Sequence, residues 1–511
     1  MKHIKKLASL LLVLVMALSL AVTAFADEIT TYSITINNST AGHTYEAYQI
    51  FTGDLSGTTL SNIVWGSGVS EAGQTALGDA AAKAETLKTE ADAKAFAKAV
   101  APYLTTAAGS ANTVTDGKYV ISGLAAGYYL VKDQDGSLTG DSDSYTEYII
   151  QVVGNVTATP KSDVPEVEKK VKDTNETTGE TTGWQDSADY DIGDSIPFQL
   201  KATLADNVSS YTTYKVVFHD TLSKGLTYNK DAKVYIDGTE TNGFTVTATV
   251  KADGTTTLTV SCDDVKALGA GNSSVITVEY TAKLNKNAVL GSAGNPNEVY
   301  LEYSNNPNKS EEGNNETGET PKDVVIVFTY KTIIKKVDSE NKPLTGAAFK
   351  LEKLIKGKDG AADTWTTVKE FTVDETTTSF TFSGLDDGQY KLTETKTPAG
   401  YNTIDPIYFV IEATHDATAD TPALTVLKAY LTDENGNKKT EVKDGETVNI
   451  DLGTVDLTAG SITTTVVNKS GSELPSTGGI GTTIFYVLGG VLVLAAVVLL
   501  VTKKRMSGAE K

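Results

Sequence analysis

Between residues 28 and 470 the chain repeats one pattern, a short run in which apolar and polar residues alternate. Such runs are YSITIN (32–37), YVISGL (119–124), TEYIIQVV (146–153), GFTVTATV (243–250), TTLTVS (256–261), VITVEYTAKL (275–284), VVIVFTY (324–330), SFTFSGL (379–385) and SITTTVV (461–467). Successive strand side chains point to opposite faces, so a period of two describes a strand with one face in a core. The runs are rich in Thr, Val, Tyr and Ile, and Gly, Asn and Asp gather between them. The chain is expected to be mostly β, a tandem of immunoglobulin-like β-sandwich domains. One stretch breaks the pattern. Residues 70–104 are Ala-rich, with Leu77, Leu87, Phe96, Val100 and Leu104 spaced for one helical face, which predicts a helical insertion in the first domain.

The two ends obey other rules. Residues 1–26 carry Lys2, Lys5 and Lys6, then an uncharged apolar stretch, then Ala24-Phe25-Ala26. That order is a secretory signal peptide with its cleavage site. At the other end, residues 482–501 carry no charge, and Lys503, Lys504 and Arg505 follow at once. Twenty such residues are long enough for a transmembrane helix with its basic tail in the cytoplasm. The exported precursor is thus expected to be membrane-inserted.

Of the formal charge of −21, each end carries +3, which leaves −27 for residues 27–477. An acidic body of this kind argues against nucleic acid and anionic membrane as partners. Cys262 is the one cysteine, so no intramolecular disulfide can brace the exported domains. The acids of 133–143 lack an EF-hand spacing, no zinc, phosphate-loop or Ser/His/Asp pattern occurs, and Trp65, Trp184 and Trp365 read as core or loop anchors. No cofactor and no metal site is expected.

Punctuation sets the domains. The Pro-bearing stretch 160–165 separates a first domain (27–160) from a middle one (161–329), and VVIVFTYKTIIKKVD runs from the middle domain into a third (330–471) with little slack. The polar tracts 173–189 and 304–323 read as long loops of the middle domain. SGLAAGYYLVKD (122–133) is echoed by SGLDDGQYKLTE (383–394), which sets Tyr129 on Tyr390 and Asp133 on Glu394. Related frameworks are therefore expected at both ends.

Lysines sit on strands that open two domains. In EVEKKV, Val167 and Lys169 share a face; in TIIKKVD, Ile333 and Lys335 do, and a slip of one residue would exchange Lys335 for Lys336. A lysine facing a core loses charge by desolvation, and a neutral amine is a nucleophile. Glu394 shares a face with Leu392, and Asn468 lies on the last strand. These three residue types permit one reaction, in which Lys335 attacks the carboxamide of Asn468, a buried protonated Glu394 relays protons, and ammonia leaves.

TIIKKVDSENKPLTGAAFKLEK, GQYKLTETKTPAGY and VVNKS resemble, in that order, a Cna-B-type domain of Gram-positive surface proteins. The resemblance implies a Lys335–Asn468 isopeptide assisted by Glu394. VEKKVKD, DYDIGDSIPFQLKATL, YKVVFHDTLSKGLTYN, ITVEYTAKLN and GNPNEVYLEYSNNP resemble the middle domain of sortase-assembled backbone pilins. That likeness implies a bond from Lys169 to Asn297, with Asn305 as the alternative, and Asp220 as the acid. The first domain has no lysine between Asp27 and Ala82, so its opening strand can supply no amine.

LPSTG (474–478), set before the apolar span and basic tail, is similar to the cell-wall sorting signal of Gram-positive surface proteins. It implies that a sortase recognises Leu474 and Pro475 and cleaves between Thr477 and Gly478. Backbone pilins carry an acceptor lysine at the end of the first domain, in a motif written VYPK. Here NVTATPKS keeps Pro160-Lys161, with Thr159 in place of the tyrosine. The expected function is the structural backbone subunit of a covalent surface pilus. Sortase, further copies of the chain, minor pilins and peptidoglycan are the implied partners. The expected location is the cell wall, and no enzymatic activity is expected beyond self-processing. The alternative is a wall-anchored monomeric adhesin or minor pilin that binds host protein or glycan.

Overall fold

A computed structural model describes residues 30–138, 144–160, 163–311, 313–443, 446–471 and 480–506. Three β-sandwiches follow one another along the chain, each closed around its own apolar cluster. In the first, Tyr32–Asn37 lies between Lys118–Leu124, antiparallel to it, and Val156–Ala158, parallel to it. Facing them is the sheet ordered Thr59–Trp65, Tyr45–Ser56, Gly127–Asp133, Glu147–Val152. Alternation places Ile34 and Ile36 inside, against Tyr45, Tyr119, Tyr129 and Val131.

The predicted helical insertion is three short helices, Glu71–Leu77, Ala80–Thr86 and Glu90–Val100. Local chemistry cuts it. Gly78 takes φ 86° after the first helix, and Ser70, Asp79 and Thr89 each cap a helix N-terminus through a side-chain oxygen. Phe96 and Val100 pack with Tyr48, Phe51 and Leu130 into a second cluster of the first domain. Lys98 of the last helix reaches the middle domain, 3.0 Å from Thr212 Oγ1 and 3.0 Å from Glu311.

In the middle domain one sheet runs Thr239–Thr241, Lys233–Ile236, Val275–Leu284, Ser195–Thr203, Glu166–Val171. The other runs Ser187–Asp189, Asp323–Phe328, Asn295–Ser304, Val216–Leu222, Thr256–Cys262, Thr245–Val250. The first strand, Glu166–Val171, is therefore an edge strand, while Val216–Leu222 and Asn295–Ser304 are central to the opposite sheet. The tract 173–189 is more ordered than a long loop. It forms a hairpin (Thr174–Asn175 with Glu180–Thr181) and the strand Ser187–Asp189, and it leans on the third domain through Thr177 Oγ1 to Leu354 O at 2.9 Å.

In the third domain Tyr330–Val337 and Ser461–Val467, the first and last strands, pair in parallel. Ser379–Leu385 and Thr454–Asp456 flank them, and the opposing sheet runs Thr364–Glu370, Ala348–Ile355, Gly388–Lys396, Ile407–His415, Leu424–Thr432. One residue, Thr329, separates the last strand of the middle domain from the first of the third. The echoed segments are matching hairpins in the first and third domains. Gly123 and Gly384 have φ near 79° and 78°, and each tyrosine hydroxyl donates to the carbonyl four residues back, Tyr129 to Ala125 at 2.9 Å and Tyr390 to Asp386 at 2.8 Å.

The helix Ile480–Met506 has 27 residues, and its described valines and leucines are exposed. Among the described residues no helix is long and apolar enough to cross a membrane.

Candidate functional site

In the middle domain, alternation along Glu166–Val171 turns Lys169 and Val171 inward, and Lys169 is wholly buried. Its Nζ crosses to the opposite sheet and lies 2.6 Å from Asp220 Oδ1. Asp220 is fully buried on Val216–Leu222, two residues from Leu222, which pairs with Asn297 on the neighbouring strand. Asn297 is also fully buried. Asn305 stands eight residues further on, roughly 26 Å of strand away. It sits at the junction with the first domain, where its carbonyl accepts from Tyr145 N at 2.7 Å. Of the two asparagines, Asn297 is the one brought to this group.

A fourth residue links the parts. Tyr280 on Val275–Leu284 accepts from Lys169 Nζ at 3.2 Å and from Asn297 Nδ2 at 2.8 Å, and donates to Asp220 Oδ2. The side-chain carbonyl oxygen of Asn297 has no hydrogen-bond partner. Desolvation drives the whole group toward neutrality. It pushes the Lys169 amine below its ordinary pKa and the Asp220 carboxyl above its own, although each partly offsets the shift of the other. A neutral amine, a protonated acid and a carboxamide with a free oxygen are the components of an acid-assisted transamidation. Tyr280 was not foreseen from the sequence. The available signal was a tyrosine at an inward strand position, between Val278 and Ala282, whose hydroxyl needed a partner.

In the third domain the expected lysine is corrected. Tyr330, Thr332, Ile334 and Lys336 face the core, whereas Lys335 is exposed. The sequence Ile333-Ile334-Lys335-Lys336 satisfies either parity. The choice falls to Tyr330, which is buried and fixes the even positions inward. Lys336 Nζ donates to the side-chain oxygen of Asn468 and to Val466 O at 3.2 Å, and lies 3.5 Å from Glu394 Oε1. Asn468 Nδ2 in turn reaches Glu394 Oε1 at 2.9 Å and Oε2 at 3.1 Å. Thr397 Oγ1 and Ile404 N also donate to Glu394 Oε2, at 3.2 and 3.3 Å, and so orient the carboxyl. Lys336, Asn468 and Glu394 are all buried, and burial pushes the Lys336 amine below its ordinary pKa.

The first domain has a different partner at the echoed position. Asp133, buried like Glu394, meets His43 Nδ1 at 2.7 Å and accepts from Thr146 N at 2.8 Å. His43 stacks on Tyr45, with ring centroids 5.1 Å apart. Lys170, one step out of phase with Lys169, is half-exposed and pairs with Asp186. Lys161, Leu474, Pro475, Thr477 and Gly478 lie outside the described residues.

Known families bear on these geometries. Residues 192–307 match the Gram-positive pilin backbone subunit 2, Cna-B-like domain; residues 331–425 match the SpaA prealbumin-like fold domain; residues 466–507 match the LPXTG cell wall anchor motif. Fold, domains and anchor together define a class. The chain is a secreted, cell-wall-anchored surface protein whose middle domain matches a Gram-positive pilin backbone domain. It is similar to the trypsin-resistant surface T6 protein of Streptococcus pyogenes serotype M6, with 26% identity over 459 residues, or 76% of this chain and 77% of that protein. Among solved structures, the T6 backbone pilin of that serotype superposes with a TM-score of 0.55 at 19% identity, covering 86% of this chain and 99% of that one. This likeness carries the sandwich fold. The full-length major pilin SpaD of Corynebacterium diphtheriae aligns over 88% of this chain and 99% of its own at a TM-score of 0.49 and 19% identity.

Proposed function

We propose that this chain is the structural backbone subunit of a covalently polymerised surface pilus, braced inside each subunit by two self-formed isopeptide bonds. The bonds join Lys169 to Asn297 and Lys336 to Asn468. In each, the neutral lysine amine attacks the side-chain carbonyl carbon of asparagine. A C–N bond to Nζ forms, the bond to Nδ2 breaks, and Nδ2 leaves as ammonia with a proton relayed from the amine. Asp220 and Glu394 carry that proton and polarise the carbonyl, and Tyr280 assists in the middle domain. Each bond forms once, so this is self-processing and not turnover of a substrate.

Polymerisation uses different residues. A sortase cleaves after Thr477 and transfers its carbonyl to Lys161 of another copy. The final subunit passes to peptidoglycan by the same threonine, and minor pilins enter through the same chemistry. The observation that carries the proposal is the contact of Lys336 with Asn468 across parallel first and last strands. Lys169 comes eight residues after Lys161, and Asn468 nine before Thr477. Each brace therefore sits just inside a point where a polymer would pull, and tension bypasses the sandwich core.

Lys161→Ala, expressed with the cognate sortase, is expected to abolish the high-mass ladder of the cell-wall fraction and leave wall-anchored monomer. An undiminished ladder would remove Lys161 as the acceptor.

A further inference from the structure

The two buried lysines that face an asparagine stand on strands of different kinds. Tyr330–Val337 is flanked on both sides, by Ser379–Leu385 and Ser461–Val467. Lys336 N donates to Thr378 O at 2.8 Å, and Lys336 O accepts from Leu344 N at 2.9 Å. Backbone alone therefore fixes the Cα from which that amine reaches Asn468. Glu166–Val171 is an edge strand, and among the described residues only Ser195–Thr203 pairs along it. An edge strand leaves alternate amides without a ladder partner.

Here those amides are Lys169 and Val171. Val171 N donates to Gln185 O at 2.8 Å. Lys169 N donates instead to a side chain, Asp323 Oδ2, at 2.5 Å. Asp323 opens the strand Asp323–Phe328 of the opposing sheet, and its Oδ1 accepts from Val324 N at 2.9 Å. Both carboxylate oxygens accept from backbone, which fixes the orientation of the group. The strand Asp323–Phe328 pairs with the strand that carries the carboxamide, Val325 opposite Asn297 and Asp323 opposite Val299. One carboxylate thus ties the backbone of the amine-bearing strand, across the two sheets, to the strand beside the carboxamide.

We propose that Asp323 is a positioning residue for formation of the Lys169–Asn297 bond, standing in for the neighbouring strand that this edge lacks. The proposal rests on the isopeptide reading of the middle domain. Lys169 must carry its amine to Asp220 and Asn297 on a long flexible stem, so drift of its Cα displaces the nucleophile directly. A misplacement of about 1 Å can cost a reaction about 10²-fold. The charge of Asp323 works the other way. Burial lowers the Lys169 pKa, Asp220 opposes that most, and Asp323 opposes it further, which favours the unreactive ammonium. Removing Asp323 should therefore slow the reaction if it acts by position and speed it if it acts by charge.

The test follows ammonia loss by intact mass in the chain without residues 1–26, made by cell-free synthesis with detergent and sampled from synthesis onward. Peptide mapping separates the two bonds, and the Lys336–Asn468 bond serves as a clock within the same molecule. In Asp323→Ala the Lys169–Asn297 bond is expected to form at least about tenfold more slowly, with the Lys336–Asn468 bond at the parent rate. Asp323→Asn keeps an acceptor oxygen and sheds the charge, so it is expected to match or exceed the parent. Asp323→Ala reacting as fast as the parent would overturn the positioning role and leave the isopeptide reading intact. Asp323→Asn as slow as Asp323→Ala would also overturn it, because an acceptor would then not suffice. A parent chain that never forms the Lys169–Asn297 bond would sink both readings. Should Asp323→Ala fail to fold, hydrogen exchange decides. In Asn297→Ala, which holds Lys169 unreacted, the Lys169 amide is expected to be protected, and exchange at the rate of an exposed amide refutes the anchor.

Discussion

Lys336 donates its amine to the side-chain oxygen of Asn468, joining the first and last strands of the third domain. Its neighbour Lys335 is exposed and pairs across the sheet with Ser379 and Thr465. The two lysines are therefore separable by experiment. The intact mass of the unsubstituted chain should be two ammonias below that of its sequence. Lys336→Ala should restore one ammonia beyond the change of side chain, whereas Lys335→Ala should restore none. Loss of a tie that closes a loop of more than a hundred residues should cost roughly 5 kcal/mol, by analogy with disulfides. Thermal unfolding of the two variants measures it.

Tyr280 Oη touches the nucleophile, the acid and the carboxamide of the middle domain. Tyr280→Phe keeps the ring packed on Phe198 and removes only the hydroxyl. Formation of the Lys169–Asn297 bond should slow by roughly 10²-fold, a typical share for a group that takes part in proton transfer. Mass spectrometry at intervals after synthesis should find a population one ammonia heavier. Full bonding at the earliest time would assign Tyr280 a packing role alone. Asn297→Ala should abolish that bond, and Asn305→Ala should leave it intact.

Glu302 accepts from His219 Nε2 at 2.9 Å and from Lys215 Nζ at 2.7 Å on the outer face of the middle domain. The His219 bond first, then Lys215, lowers the Glu302 pKa from the ordinary 4.5 to about 2. A lowered carboxylate pKa stabilises the fold above the unfolded value, and that stabilisation is lost as pH falls through the folded one. At neutral pH Glu302→Gln should cost about 1 kcal/mol, discounted for solvent screening at a partly exposed pair. The gap between variant and parent should close between pH 4.5 and about 2. Denaturant titrations across that range check the sign.

Gly291 and Gly460 meet where the middle and third domains touch. A Cβ on Gly291, whose φ is 78°, would lie 2.3 Å from Thr458 O and 2.4 Å from Gly460 N. Backbone cannot yield as a side-chain tip can. Gly291→Ala should therefore destabilise by about 2 kcal/mol, combining positive-φ strain with the clash. It should also open the joint to proteolysis near Thr329 while both isopeptide masses persist.

The sequence by itself determined the alternating strands, the helical insertion and the anchor motif near the C-terminal end. Period-two alternation is a local property, and so are a signal peptide and a sorting motif. It also named the acids Asp220 and Glu394 and the amides Asn297 and Asn468, because those residues stand where strand parity or a familiar motif puts them. It could not divide Lys335 from Lys336. Two isoleucines followed by two lysines read the same in either register, and only the packing of Tyr330, Thr332 and Ile334 against the opposing sheet selects one face. Tyr280 escaped for a related reason. Its partners come from three other strands, 111, 60 and 17 residues away in sequence, and no local pattern records such a meeting. More distant still is the meeting of Asp189 and Asp386, which belong to different domains. Their proximity exists only once one residue of connector has joined two folded sandwiches.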